Sequence, residues 1–242
     1  MGVIEAHNLT KIFRVPHEPV RSVKESLNTL FARKRYEKFK ALQDINFEIA
    51  PGEFVSIIGH NGCGKSTLLR MIAGIYRTTS GKLIVRDKVS PFLELGVGFN
   101  EDLTARENIF LYGAILGLSR REVHDKFDEI VRFSELERFI DTRLRNFSSG
   151  MYVRLAFATA IQSDAPILLF DEVLAVGDER FQKKCFALFE KMKQQEKTIV
   201  FVSHDLGSVK RFSDRVILLN HGKKVMEGPA EPVISAYQSA HS

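Results

Sequence analysis

Gly59-His60-Asn61-Gly62-Cys63-Gly64-Lys65-Ser66-Thr67 is the stretch that decides the fold. It follows the apolar run Phe54-Val55-Ser56-Ile57-Ile58 and opens a pattern that reads as a helix over about 65–76. Gly59, Gly64, Lys65 and Ser66 satisfy the spacing G-x-x-x-x-G-K-[ST]. Each residue type has a physical reason. The glycines let the backbone wrap an anion so that successive N–H groups point inward. The N-terminus of the following helix adds partial positive charge. Lys65 reaches the β- and γ-phosphates of a nucleotide, and the Ser66 hydroxyl is a ligand for Mg²⁺. Asn61, Gly62, Cys63 and Thr67 belong to the same phosphate-binding loop. The strand before it and the helix after it separate this motif from a chance glycine-rich turn.

Working outward, strand and helix patterns alternate, which predicts an α/β domain. Residues 3–13 and 41–49 read as strands, the second with Ile45, Phe47 and Ile49 alternating with polar neighbours. Pro51-Gly52 marks a turn, and 82–86 a further strand. From about 103 to 162 the pattern is helical, with Val123, Phe127, Ile130 and Val131 on one face. Strands resume at 167–170, 198–203 and 215–219; Asn220-His221-Gly222-Lys223 is a hairpin turn, and a short helix closes the chain after Gly228. The expected division is a nucleotide-binding core over 1–91 and 166–242, with a helical subdomain inserted over 92–165.

The totals bound the rest. A chain of 242 residues supports one sizeable core, or a core with one insertion. No apolar run is long enough to span a bilayer, and Met1 to Thr10 lacks a signal-peptide layout, so a cytoplasmic location is expected. The two cysteines suggest no disulfide framework. The net charge of +5 is compatible with an anionic membrane surface or with a merely solvated basic face.

A second motif completes the chemistry. Ile167-Leu168-Leu169-Phe170-Asp171-Glu172 is a buried strand ending in two carboxylates. Asp171 is placed to hold Mg²⁺ and Glu172 to polarise an attacking water. With these two motifs the chain resembles the ABC ATPases over nearly its whole length. The resemblance implies a P-loop ABC ATPase core with an antiparallel β subdomain and an inserted helical subdomain, using ATP and Mg²⁺. Asn146-Phe147-Ser148-Ser149-Gly150-Met151 stands where that family has its signature; Ser148 and Gly150 match, while Ser149 and Met151 depart from it. In the family this segment completes the nucleotide site of an opposite subunit; read alone, Ser148 is also simply a good helix cap. His204 matches the histidine that senses the γ-phosphate, and Asp178 the aspartate of the loop between subunits. Phe13 falls where an aromatic stacks on adenine, and a core role fits it equally. The family's glutamine before the helical subdomain is missing. Glu94 is its nearest substitute, as a metal ligand.

That departure points to a subfamily. Leu93-Glu94-Leu95-Gly96-Val97-Gly98-Phe99 and Asp171-Glu172-Val173-Leu174-Ala175-Val176-Gly177-Asp178 resemble bacterial exporters of O-antigen, capsule and teichoic acid. The resemblance implies a homodimer of ATPase subunits, peripheral on the cytoplasmic face of the membrane. It would work with a separate multi-span permease and pass a lipid-linked polysaccharide, with no nucleic acid involved. The competing readings are an ABC ATPase for another cargo, a non-transport ABC protein, and a small-molecule kinase; the kinase leaves the signature segment and His204 unexplained. An insertion over about 15–40 carries Val20, Val23, Leu27, Leu30 and Phe31 at helical spacing, followed by Arg33, Lys34, Arg35, Lys38 and Lys40. It is either a basic helix near lipid phosphates or a solvated face. For Cys63, the neighbouring Lys65 and helix terminus predict a lowered thiol pKa and faster alkylation than Cys185, provided the thiol is accessible.

Overall fold

Among the described residues six short strands form one central sheet, around which the protein is layered. The structure, a computed structural model, describes residues 1–16, 36–93, 95–172 and 178–240. The described residues form strands β1 (Ile4–Pro16), β2 (Tyr36–Ile49) and β3 (Phe54–Ile58), then helix α1 (Lys65–Ile72). Strands β4 (Ser80–Val85) and β5 (Val89–Phe92) precede a helical stretch of α2 (Ala105–Ile115), α3 (Arg120–Ser134) and α4 (Ser149–Ala160). The chain returns through β6 (Ile167–Asp171), α5 (Glu179–Gln194), β7 (Thr198–Val202), α6 (Leu206–Phe212), β8 (Arg215–Asn220), β9 (Lys223–Gly228) and α7 (Ala230–Ser239).

The central sheet has the order β5-β6-β7-β3-β8-β9, parallel from β5 to β8 and antiparallel at β9. Both faces of its inner strands are covered, so β3 and β7 are buried at every position. Side chains alternate between the faces. Val55, Ile57, Leu169, Val200, Val202 and Ile217 pack toward α1 and the small sheet. Phe54, Phe170, Phe201 and Leu218 pack toward α5, α6 and α7, where Phe181, Phe189 and Phe212 complete an aromatic core. The small sheet is antiparallel, in the order β2-β1-β4. Helices α2, α3 and α4 pack on one another around Ile109, Val123, Ile130 and Leu155 as a separate layer.

Three elements differ from the sequence reading. Helix α1 stops at Ile72 because Gly74 takes φ 76°, with Ile75 N–H bonded to Arg70 O and Gly74 N–H to Met71 O. That pair of bonds is a left-handed C-terminal cap, which caps the last carbonyls before Tyr76. Strand β5 was not expected, since it is four residues long and contains Pro91. It sits at the sheet edge, where a missing N–H is tolerated. The basic end of the insertion is not helical at its last residues. Tyr36 to Lys40 continue β2 and pair with Ile12–Pro16 of β1, which places Lys38 and Lys40 on a strand. The remainder of that expected helix, including Arg33, Lys34 and Arg35, lies outside the described residues.

Candidate active site

The site forms where three neighbouring strands end. β6, β7 and β3 are adjacent and parallel, so the loops at their carboxyl ends converge on one edge, the usual ligand position in open α/β sheets. The loop after β3 is the glycine stretch. Gly59 has φ 147°, and a Cβ there would stand 2.2 Å from Leu219 O; only glycine fits between the loop and β8. Gly64, at φ 111°, starts α1. Lys65 is buried, and its Nζ donates to Gly59 O at 2.8 Å and His60 O at 3.0 Å. The ammonium is therefore held within the curl of its own loop. Asn61 and Gly62 are exposed, and Ser66 and Thr67 half-buried.

Asp171 ends β6 and is half-buried, and the Ser66 hydroxyl acts on its carboxylate. Burial pushes its pKa above the ordinary value, Ser66 works against that, and the Glu172 charge adds to the rise. A hydroxyl and a carboxylate beside Lys65 are oxygen donors of the kind a hard divalent cation prefers. Among the described residues no group of three or more His, Cys, Asp or Glu side chains forms a metal cage. Any cation here would complete its shell from phosphate and water. Glu94 lies outside the described residues.

Glu172 follows with φ 56°, an unusual conformation for a residue with a side chain. Its N–H still bonds Val202 O at 2.9 Å, extending the β6–β7 ladder by one step. The carboxylate meets His204, which leaves β7 after buried Ser203: His204 Nε2 lies 2.9 Å from Glu172 Oε1. The structure thus brings Gly59 to Thr67, Asp171, Glu172 and His204 together.

Phe13, on β1, is half-buried. Its ring meets Tyr76 edge-on at 5.3 Å, and Lys11 Nζ lies 4.8 Å and 5.3 Å from the two ring centroids. Tyr76 and Lys11 were not identified from sequence; an aromatic just beyond a helix end carries no local signal of its own.

The signature segment stands on the helical layer. Ser148 caps α4, accepting from Met151 N–H, and Ser148 and Ser149 are exposed. Helix α4 packs on α2 and α3, with Phe147 and Met151 at its start against the same cluster while Ser148 and Ser149 stay exposed. Asp178 caps α5 by accepting from Phe181 N–H at 2.9 Å.

Cys63 corrects the sequence reading. Its thiol is fully buried beside Leu68, Leu69 and Leu219. Burial raises its pKa, and the opposing effect of Lys65 is smaller. The loop exposes its backbone while its one sulfur turns inward. Cys185 is buried too, and its thiol is pushed up to about 12.

With this geometry in place, comparison with known proteins is specific. A family model described as ABC transporter matches residues 42–175. The O-antigen export system ATP-binding protein RfbB of Klebsiella pneumoniae is 41% identical over 241 residues, covering 98% of both chains. A protein of the same description from Myxococcus xanthus is 50% identical over 202 residues, 84% of this chain but 46% of its own length. The fold is also that of the ATP-binding cassette MJ0796, solved as a dimer in a post-hydrolysis state bound to ADP and Pi. The TM-score is 0.74 at 27% identity, covering 94% of this chain and 99% of that one.

Proposed function

We propose a function from one premise: the chain belongs to the ABC transporter family. It is the ATP-binding and hydrolysing subunit that powers export of a lipid-linked polysaccharide, of the O-antigen, capsule or teichoic-acid kind. It works as a homodimer on the cytoplasmic face of the membrane, with a separate multi-span permease. Two relatives named as O-antigen export ATP-binding proteins support the cargo. Among the described residues no helix is long and apolar enough to cross a membrane.

The observation that carries the enzymatic reading is the Glu172–His204 contact, 2.9 Å, one residue past Asp171. Lys65 and the loop N–H groups hold the β- and γ-phosphates. Ser66 and Asp171 would hold Mg²⁺, which when bound supplies countercharge for the phosphates. The Glu172 carboxylate accepts a proton from the attacking water, and His204 fixes that carboxylate and faces the γ-phosphate. Phe13 offers its ring to adenine, with Tyr76 bracing it from the edge. Ser148, Ser149 and Gly150 reach the nucleotide of the second subunit, and Asp178 lies at the same interface.

Three measurements test this. Glu172→Gln keeps shape and loses the base, so ATP binding persists while turnover falls about 100-fold or more; near wild-type hydrolysis removes Glu172 from its role. In cells, Lys65→Ala should accumulate lipid-linked glycan on the cytoplasmic side. The wild-type chain should also copurify with a multi-span membrane protein. Unaltered glycan export in the Lys65→Ala strain would overturn the cargo assignment.

A further inference from the structure

The turn joining β8 to β9 lies directly behind the phosphate loop. β3 and β8 are parallel neighbours, with Ile58 opposite Leu218, so the segments leaving them emerge side by side. Asn220 pairs with Lys223, which leaves His221 and Gly222 as the central residues of the turn, at φ 43° and 74°. Two positive φ values mark a type I′ turn, whose twist suits a tight hairpin. Gly222 is buried, and its backbone serves two other elements. Its N–H donates to Cys63 O at 3.0 Å, and its carbonyl accepts Gln43 N–H at 2.7 Å. A Cβ on Gly222 would stand 2.7 Å from Ala41 O. One glycine thus joins the phosphate loop, the hairpin and β2 at a point where no side chain fits.

His60, the second residue of the loop, makes the other contact. Its Nε2 lies 2.9 Å from Asn220 Oδ1, and its Nδ1 lies 2.7 Å from Asn61 O. A backbone carbonyl only accepts, so Nδ1 carries a hydrogen. The Asn220 amide suits the ring in either protonation state, offering N–H to a neutral imidazole and oxygen to a charged one. The His221 ring stands 4.8 Å from the His60 ring, tilted by 59°. A cavity of about 210 Å³, lined by Leu219, Asn220, Val225, Met226 and Tyr237, borders His60. Hydrogen bonds rather than close packing therefore fix the ring on that side. The His60 carbonyl accepts from Lys65 Nζ at 3.0 Å. The carbonyls of His60, Asn61 and Cys63 are thus turned onto Lys65, the imidazole and Gly222. Acceptor oxygens that would repel a phosphate are engaged elsewhere.

We infer that Asn220 and Gly222 are positioning residues that latch the phosphate loop, from behind, to the β8–β9 turn and through Gly222 to β2. β2 pairs with β1 where Phe39 stands opposite Phe13. The ring offered to the base and the loop offered to the phosphates then hang from one junction. The latch holds the loop in its anion-binding curl before a nucleoside di- or triphosphate arrives, which lowers the ordering cost of binding. It acts on nucleotide affinity and leaves the chemistry to Asp171, Glu172 and His204. This rests on the phosphate-loop reading of 59–67.

Gly222→Ala meets both a strained φ and Ala41 O, so Asn220→Ala, which leaves the backbone alone, carries the test. Calorimetric titration of the full chain with MgADP should show affinity lowered about fivefold in Asn220→Ala, the weight of one neutral hydrogen bond. In steady-state hydrolysis KM should rise by about the same factor, with kcat within about twofold. The double variant His60→Ala/Asn220→Ala should bind MgADP no more weakly than His60→Ala alone, since both changes remove one contact. Amide hydrogen exchange over 59–64 in the nucleotide-free protein should quicken about fivefold in Asn220→Ala. Unchanged MgADP affinity or unchanged exchange at 59–64 overturns the latch. So does an additive loss in the double variant, a kcat loss at wild-type KM, or an affinity loss matched by an equal loss of folded protein in a thermal melt. A wild-type chain that binds no MgADP would instead overturn the phosphate-loop reading, and the nucleotide-free exchange would still decide the latch.

Discussion

At the residue scale, the site is built from groups whose comfort is sacrificed to binding. Asp171 is a carboxylate pulled partly out of water, with its pKa raised mainly by burial. A folded-state pKa above the unfolded value means the folded protein binds the proton more tightly. The group therefore costs no stability at a pH below the ordinary carboxylate range, about 3.9 for aspartate. The cost appears as pH rises through the raised folded value and persists at neutrality. Asp171→Asn should thus raise the melting temperature of the nucleotide-free protein at pH 7 by about 2–4 °C. It should narrow the difference between neutral and acid melts and abolish Mg²⁺-dependent hydrolysis. Melting curves at several pH values check this; a lower melting temperature at pH 7 would show that Asp171 is satisfied where it stands. Asp171 and Glu172 were legible as a pair at a strand end. That Glu172 adopts φ 56° and turns onto His204 was not, because the contact joins two strands through the sheet.

At the scale of elements, the phosphate loop shows how local pattern and packing divide the work. Its glycines were readable because strain is a local property. The direction of Cys63 was not: the thiol enters the layer between α1 and the central sheet, and a Cβ on Gly59 would lie 2.7 Å from its sulfur. Electrostatic activation by Lys65 loses to desolvation once the sulfur is buried. Maleimide should therefore modify Cys63 in the native protein ~100-fold or more slowly than in the unfolded chain. Cys185 should behave alike, and MgATP should change little. Mass spectrometry of labelled peptides checks it; native Cys63 labelling at the rate of a free thiol would place the sulfur outside the core. Strand β5 follows the same logic. Four residues with a proline carry too little period to be read, and pairing with β6 decides the strand.

At the scale of the whole molecule, Ser148 and Ser149 at the start of α4 are exposed, as the proposed second nucleotide-bearing surface requires. The cassette of similar fold, solved as a dimer with ADP and Pi, supports that arrangement. In the proposed two-fold dimer the interface is isologous, and each subunit would lend its signature segment to the other's phosphate loop. In a mixed dimer of Lys65→Ala with Ser148→Arg, both lesions fall in one site and the other stays intact. Such mixtures should occlude about one nucleotide per dimer, and either variant alone none. Occlusion no greater in the mixture than in the separate variants would refute the shared site.

What the sequence determined by itself is what short-range physics encodes. Glycine spacing marks the anion loop, an unbroken apolar run marks a strand buried on both faces, and a serine before a helical stretch marks its cap. Each signal lies within about ten residues, the reach of steric and capping effects. They were enough for the α/β class, the nucleotide chemistry and the inserted helices. Only the tertiary structure decided which way Cys63 faces, that Tyr76 braces Phe13, and that His204 meets Glu172. It also decided that Asn220 and Gly222 meet His60 and the Cys63 carbonyl from one turn. These contacts depend on how the sheet orders its strands and where the small sheet docks, and no residue announces its partner across that distance.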